Sequence, residues 1–197
     1  MPFLDLPPQM QERVVCSISA AGKYEVPANI VLAVAEKEGG RPGQWVRNTN
    51  GTDDVGALQF NTGYLRGLGQ YGITAQHVAA AGCYPYDLAA WRLRMHIKND
   101  TGDIWTRAAN YHSRTSRFNS TYRVDLIRRA LKWADWLEAR FPTHDVLASA
   151  MPPRFARSTS ATVAVLPEKT RHTASPTSPT VPTSSYVPRK LLISGQP

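Results

Sequence analysis

Apolar residues recur at helical spacing through most of the chain and drop out of that pattern twice, over residues 41–61 and again after Ala150. The segment 9–24, entered through Pro8, predicts a first helix with Val14, Val15, Ile18 and Ala21 on its apolar face. Pro27 suits a first helical position, and the helix it opens stops at Gly39-Gly40. Residues 41–61 are rich in Gly, Asn, Thr and Asp and keep no helical period. They predict a polar, irregular segment with a small β-hairpin at Asn50-Gly51, a pair that favours tight turns. Short helices follow over 62–71 and 74–81, with Thr62 and Thr74 as hydroxyl caps. A longer helix spans 85–99, with Leu88, Trp91, Met95 and Lys98 at helical spacing. Asp103 caps a helix reaching Tyr111, and a long last helix begins at Asn119 or Ser120 and runs to about Arg140. The pattern predicts a mainly α, all-helical domain with one small irregular or hairpin insertion.

Composition divides the chain at the same place as the periodicity. Residues 1–150 hold all five tryptophans, whereas 151–197 are dominated by Ser, Thr, Pro and Ala. A segment with so little apolar surface cannot offset the entropy of ordering it. Residues 151–197 are therefore expected to be a disordered basic tail, a tether or binding arm rather than a carrier of chemistry. Of the net charge of +8, the tail holds +5. The +3 left on the first 150 residues, without interleaved aromatic and basic residues, argues against nucleic-acid binding. No run of about 18 apolar residues exists, so no membrane span is expected. Residues 1–8 lack the charged and apolar stretches of a secretory leader.

Candidate chemistry begins with Glu38. On a helical wheel of about 100° per residue it falls in the apolar arc of the second helix, whereas Glu36, Lys37 and Asn29 fall on or towards the polar side. A carboxyl against an apolar surface has its charged form disfavoured and its pKa raised, as a general acid near neutral pH requires. Periodicity alone leaves open a solvated glutamate in the last turn of a surface helix. The polar run from Asn48 to Asn61 adds groups that hydrogen-bond sugar hydroxyls and amides, and Trp45 is a candidate sugar contact. Trp91, Trp133 and Trp136 fit helical core stripes better, Arg128, Arg129 and Lys132 read as a solvated helix face, and His77 and His96 as surface or helix residues. No second His or Cys lies at ligand spacing from His112, so no metal is expected, nor any cofactor. The two cysteines, Cys16 and Cys83, read by themselves as small buried hydrophobes.

Several short motifs then fall in register over residues 10–140. Glu38 with Gly39-Gly40, the run Asn48-Thr-Asn-Gly-Thr-Asp-Asp-Val-Gly-Ala-Leu-Gln-Phe-Asn61, the Tyr71-Gly72-Ile73 segment leading to Cys83, and Asn110-Tyr111-His112-Ser113 after Trp105 resemble one family. It is the lysozyme superfamily, and within it the specialised lytic transglycosylases of conjugation and type IV secretion systems. The resemblance implies a lysozyme-like fold and cleavage of peptidoglycan glycan strands with Glu38 as the acid and base. It implies a glycan cleft carrying Asn50, Gln59 and Asn61, with Tyr111 facing the catalytic carboxyl and His112 and Ser113 following. Tyr122 matches a further cleft tyrosine. The family commonly has Ser after the glutamate; here Gly39 stands instead, removing a hydroxyl contact. The resemblance also implies a Cys16–Cys83 disulfide, hence an oxidising compartment such as the periplasm, and a secretion or conjugation apparatus as partner through the tail.

Asp54 leaves two chemistries open. Its place before Val55-Gly56 matches the second carboxylate of lysozymes, in which one raised-pKa acid stands beside an ionised partner. Facing Glu38 it would support two-carboxylate hydrolysis; facing elsewhere it leaves Glu38 to work alone and form a 1,6-anhydro sugar. A turn-capping role beside Asn50-Gly51 is the plainer reading of the same residue. A wall-binding scaffold without turnover is the alternative of another class.

Overall fold

Eight consecutive residues of one helix, Ala28 through Ala35, are all buried. Their sequence is apolar on every side apart from Asn29, and a helix that is apolar all round belongs in an interior. This helix, α2 (Ala28–Glu38), is the axis of the fold. It packs against α1 (Pro8–Tyr24) and most extensively against α7 (Ser116–Glu138). Asn29, expected on a polar side, is fully buried, and its side-chain amide donates to the Ala130 carbonyl at 3.3 Å. Glu36 also turns to α7, accepting from Arg129 at 2.5 Å and from the Trp133 indole at 2.8 Å. Arg129 is thereby taken out of the expected solvated face. The amphipathic reading of α2 fails because the helix has no solvent side until its last turn.

The structure, a computed structural model, describes residues 5–145 and 189–191. It is mainly helical with a small antiparallel sheet. After α2 come β1 (Trp45–Arg47), β2 (Asp53–Val55) and β3 (Phe60–Asn61), paired in the order β1-β2-β3. The expected hairpin is present, closed by Asn48 N–H to the Thr52 carbonyl at 2.8 Å, with Gly51 at φ +82°. Val55 and Phe60, partners across β2 and β3, are fully buried and anchor the sheet to the core. The helices α3 (Thr62–Leu68), α4 (Ala75–Ala79), α5 (Tyr84–Asn99) and α6 (Ile104–Ala109) follow. Thr74 and Asp103 cap α4 and α6 as expected, but Asn61 rather than Thr62 caps α3. Helix α7 starts at Ser116, earlier than expected, with Asn119 buried within its first turn.

Of the stripe expected on helix α5, Leu88 is buried and Trp91 is packed partly against the core. The buried side of α5 carries Ala89, Ala90, Leu93 and His96, while Met95 is exposed. The small Ala89 and Ala90 on that side allow close approach to α1, with Tyr86, Leu88 and Leu93 buried beside them. Trp133 is in the core, and Trp91 and Trp136 are packed partly against it.

Two glycines set how closely the end of α2 meets the sheet. A Cβ on Gly40 would lie 2.2 Å from the Gly56 carbonyl oxygen, and one on Gly56, at φ +72°, would lie 2.1 Å from the Val78 carbonyl oxygen. Backbone thus rests on backbone through the Gly40, Gly56 and Val78 contacts, with no room for side chains. A disulfide joins Cys16 of α1 to Cys83, at the start of α5. The expected tail, 151–197, lies outside the described residues except for β5 (Arg189–Leu191), which pairs antiparallel with β4 (Thr143–Asp145). Strand β5 also runs beside α2 and α1. Among the described residues no helix is long and apolar enough to cross a membrane.

Candidate active site

Glu38 is the last residue of α2, where the helix leaves the core. Gly39 ends it in the left-handed conformation at φ +62°, its N–H returning to the Ala35 carbonyl. A glycine adopts that conformation without the strain any side chain would add, which accounts for Gly39 where the resembling family has Ser. Glu38 therefore sits one turn beyond fully buried Val34 and is half-buried itself. Burial raises its pKa to about 7, against a hydrogen bond from Tyr122 and the positive charges of Arg92 and Lys37, which lower it; the charge of Asp54 adds a smaller upward push. Desolvation wins because a half-buried carboxylate loses more hydration than one hydrogen bond and partly screened cations return.

A cleft of about 450 Å³ opens over this carboxyl. One wall is the hairpin and β2–β3 region, contributing Asn48, Thr49, Asn50, Asp54, Gln59 and Asn61. The opposite wall comes from Arg92 of α5 and from Tyr111 and His112 after α6. Gln59 has φ +48°, an uncommon value for a residue with a side chain. It is held there by its side-chain amide donating to the Gly56 carbonyl at 2.8 Å, which leaves the Gln59 amide oxygen as an acceptor. Asn61 donates to Asp54 Oδ1 at 2.9 Å and to Thr52 Oγ1 at 2.8 Å, while its own oxygen caps α3. Asn50 accepts from the Thr52 N–H and hydroxyl, shaping the hairpin tip beside the cleft.

A second opening, about 480 Å³, also reaches Glu38 and is lined further by Lys37, Arg117, Phe118, Thr121 and Tyr122. Glu38 and His112 line both openings. An extended ligand can therefore lie across the carboxyl with groups bound in each opening.

The chain is 28% identical over 127 residues to Protein IpgF of Shigella flexneri, covering 62% of this chain and 83% of that protein. The same figures hold for Protein IpgF of Shigella sonnei. No protein-family model matches the sequence.

The expected site residues are brought together with two differences. Tyr111 lines the cleft, but its buried hydroxyl donates to the Leu58 carbonyl at 3.2 Å; the tyrosine that meets the carboxyl is Tyr122, donating to Glu38 Oε1 at 2.6 Å. Ser113 lines neither opening. Its hydroxyl accepts from the Thr115 N–H at 3.1 Å and its carbonyl from Asn119 at 3.2 Å, so it shapes the turn into α7. His112 is exposed and stacks on Tyr122 with ring centroids 4.8 Å apart, its pKa lowered by desolvation and by Lys37 and Arg92. Trp45 is exposed and outside the cleft lining. His96 belongs to α5 but is buried, its ring nitrogen 2.7 Å from Asp100.

Two residues escape sequence reasoning. Lys37 stands over the Tyr122 ring at 4.8 Å while pairing with Asp125 at 2.7 Å, clamping the tyrosine against Glu38. Arg92 lies 4.1 Å from the Tyr64 ring centroid and 4.6 Å from that of Tyr111. The available signal was a cation one position before Leu93 and four before His96, on the side of α5 that proves to be inner.

The Tyr122 hydrogen bond favours the ionised form of Glu38, so removing it must raise the Glu38 pKa further. In Tyr122→Phe, a carbon-13 NMR titration of the Glu38 carboxyl should move to higher pH than in the unaltered protein. A lower or unchanged midpoint would contradict the assigned donor.

Proposed function

We propose that the protein is a peptidoglycan lytic transglycosylase that cuts the β-1,4 bond between N-acetylmuramic acid and N-acetylglucosamine. The observation that carries this reading is a carboxyl with a pKa near 7 that lines two openings, one of them walled mainly by polar side chains. Such a group can be protonated when a glycan arrives and ionised after it has given its proton away, as an acid that becomes a base must be. The motif resemblance supplies the substrate class.

In this mechanism Glu38 gives its proton to the bridging oxygen as the bond from the muramyl C1 breaks, leaving positive charge at C1 and its ring oxygen. The Glu38 carboxylate then takes the proton of the same sugar's 6-hydroxyl, and that oxygen bonds to C1. Glu38 returns protonated, and the product ends in a 1,6-anhydro ring without consuming water. Tyr122 holds the carboxyl through Oε1 in both states.

A second reading, hydrolysis by two carboxylates, is favoured by the presence of Asp54 in the same cleft, where its charge reaches Glu38. Against it, Asp54 Oδ1 already accepts a hydrogen bond from Asn61 across β2 and β3. Mass spectrometry of fragments released from purified sacculi separates the two. Anhydro-muramyl ends are expected, with Asp54→Asn lowering the rate less than tenfold by order of magnitude, since it removes no proton-transfer group. Reducing ends and a loss of about a thousandfold in Asp54→Asn would establish hydrolysis instead. No release of fragments would overturn both readings.

The Cys16–Cys83 bridge fits an oxidising compartment, the periplasm or cell envelope. There the enzyme would open the wall locally for a secretion or conjugation apparatus.

A further inference from the structure

The proton transfers described above use Glu38 and leave the most unusual cation of the cleft without a task. Arg92 carries five N–H donors in a rigid fork and no acceptor. Its Nε is buried with no hydrogen-bond partner, and among the described residues the guanidinium forms no ion pair. Two aromatic rings, those of Tyr64 and Tyr111, hold it in place from within the protein. Lys37, the other cation beside Glu38, is committed to Asp125 at 2.7 Å. The remaining groups around Arg92 in the cleft are amides, a hydroxyl, the two carboxyls, a tyrosine and a histidine. A half-buried guanidinium kept rigid but unpaired is costly by itself and gains most from an incoming oxygen acceptor.

We propose that Arg92 is a specificity-determining residue that binds the acyl oxygen of the 3-O-lactyl arm of a muramyl sugar through its terminal Nη N–H groups, with the guanidinium held against the Tyr64 and Tyr111 rings and its Nε turned into the protein. This inference rests on the glycan-cleaving reading of the cleft. Hydroxyls and acetamido groups, common to both sugars of the strand, are matched by the Asn50 amide N–H groups and the Gln59 amide oxygen in the same cleft. The lactyl arm is what separates the muramyl sugar from N-acetylglucosamine. It ends in a carboxylate when bare and in an amide carbonyl when a stem peptide is attached. Either end offers an oxygen to the fork, and the carboxylate can take two N–H bonds at once.

The test measures binding to the full chain carrying Glu38→Gln, so that no probe is consumed. Three soluble probes of equal sugar length are compared: chitotetraose, which has no lactyl arm, a peptide-free tetrasaccharide of alternating N-acetylglucosamine and muramic acid, and the same tetrasaccharide with stem peptides. The muramyl probes are expected to bind about tenfold more tightly than chitotetraose, the magnitude of one charge-assisted hydrogen bond. Adding Arg92→Gln should bring that ratio below about twofold, with Arg92→Lys between the two because it keeps charge without the fork. A preference confined to the peptide-free probe identifies the carboxylate as the partner, and an equal preference for both muramyl probes identifies the acyl oxygen in either form. A ratio near one before Arg92 is changed, or a ratio unaltered by Arg92→Gln, overturns the inference while the glycan reading stands. Failure to bind any of the three overturns both. A merely structural role for Arg92 would weaken all three probes together and leave the ratio intact, and Arg92→Lys keeps the ring contacts where Arg92→Gln disturbs the fold.

Discussion

Glu38→Gln is expected to lower glycan-strand cleavage about a thousandfold, within the range attributed to general acid–base catalysis, and at the same time to make the folded chain more stable above pH 7. The substitution keeps the volume of the side chain and an oxygen to accept the 2.6 Å hydrogen bond from Tyr122, so the cleft should persist. It removes the exchangeable proton on which both steps depend. The stability effect follows from linkage. In the folded chain burial lifts the Glu38 pKa from 4.5 to about 7, so the folded form holds this proton more tightly than the unfolded form. That contribution is fully present below the unfolded value and is lost as pH rises through the folded one. Above pH 7 the ionised, half-buried carboxylate costs the fold on the order of 2 kcal/mol, which glutamine does not. Urea unfolding at pH 8 and at pH 4 should show the variant more stable at the first and nearly equal at the second. Full activity in Glu38→Gln would remove Glu38 from the mechanism, and equal stability at pH 8 would contradict the burial on which its acidity rests.

Loss of the disulfide should have the largest effect on stability alone. Cys16 and Cys83 are 67 residues apart, and closing a loop of that length restricts the unfolded chain by about 4 kcal/mol in the loop-entropy account. The bridge ties α1 to the start of α5, two elements that already pack together, so the folded state needs no rearrangement to keep it. The double variant Cys16→Ala, Cys83→Ala should melt about 10 °C lower than the oxidised protein. Because α2 is held mainly by α7, the variant should keep most of its glycan cleavage below its own melting point. A fall of less than about 2 °C would mean the bridge adds little.

Much of this arrangement could be read from the order of residues, and the misses share a cause. Helical spacing, Pro27 and the Gly39-Gly40 stop located α2, and the polar run after it located the hairpin and the cleft wall. The inward direction of Glu38 was legible, but for a reason the wheel did not contain. The helix is buried on all sides over Ala28 to Ala35, and Glu38 meets the cleft because it is where the helix emerges. Periodicity reports a boundary between oil and water, so it misplaces residues such as Asn29 and Glu36, whose partners lie on another helix. The same limit hid Arg92 and the burial of His96 on α5, since small residues such as Ala89 and Ala90 mark an inner face only when the neighbouring helix is known. That Tyr122, expected only as a further cleft tyrosine, is the one bonded to Glu38 was not legible because a motif gives sequence position, whereas which hydroxyl reaches the carboxyl depends on how α6 and α7 pack. The partner of β5 could not be foreseen from a segment whose composition argues for disorder.

The proposed catalysis in this chain requires a carboxyl that stays protonated near neutral pH because of where α2 ends. Carbon-13 NMR titration of the Glu38 side chain in the intact protein measures that directly. A midpoint at about pH 7 is predicted. A midpoint near 4.5, the unshifted value, would contradict it and leave the cleft without its acid.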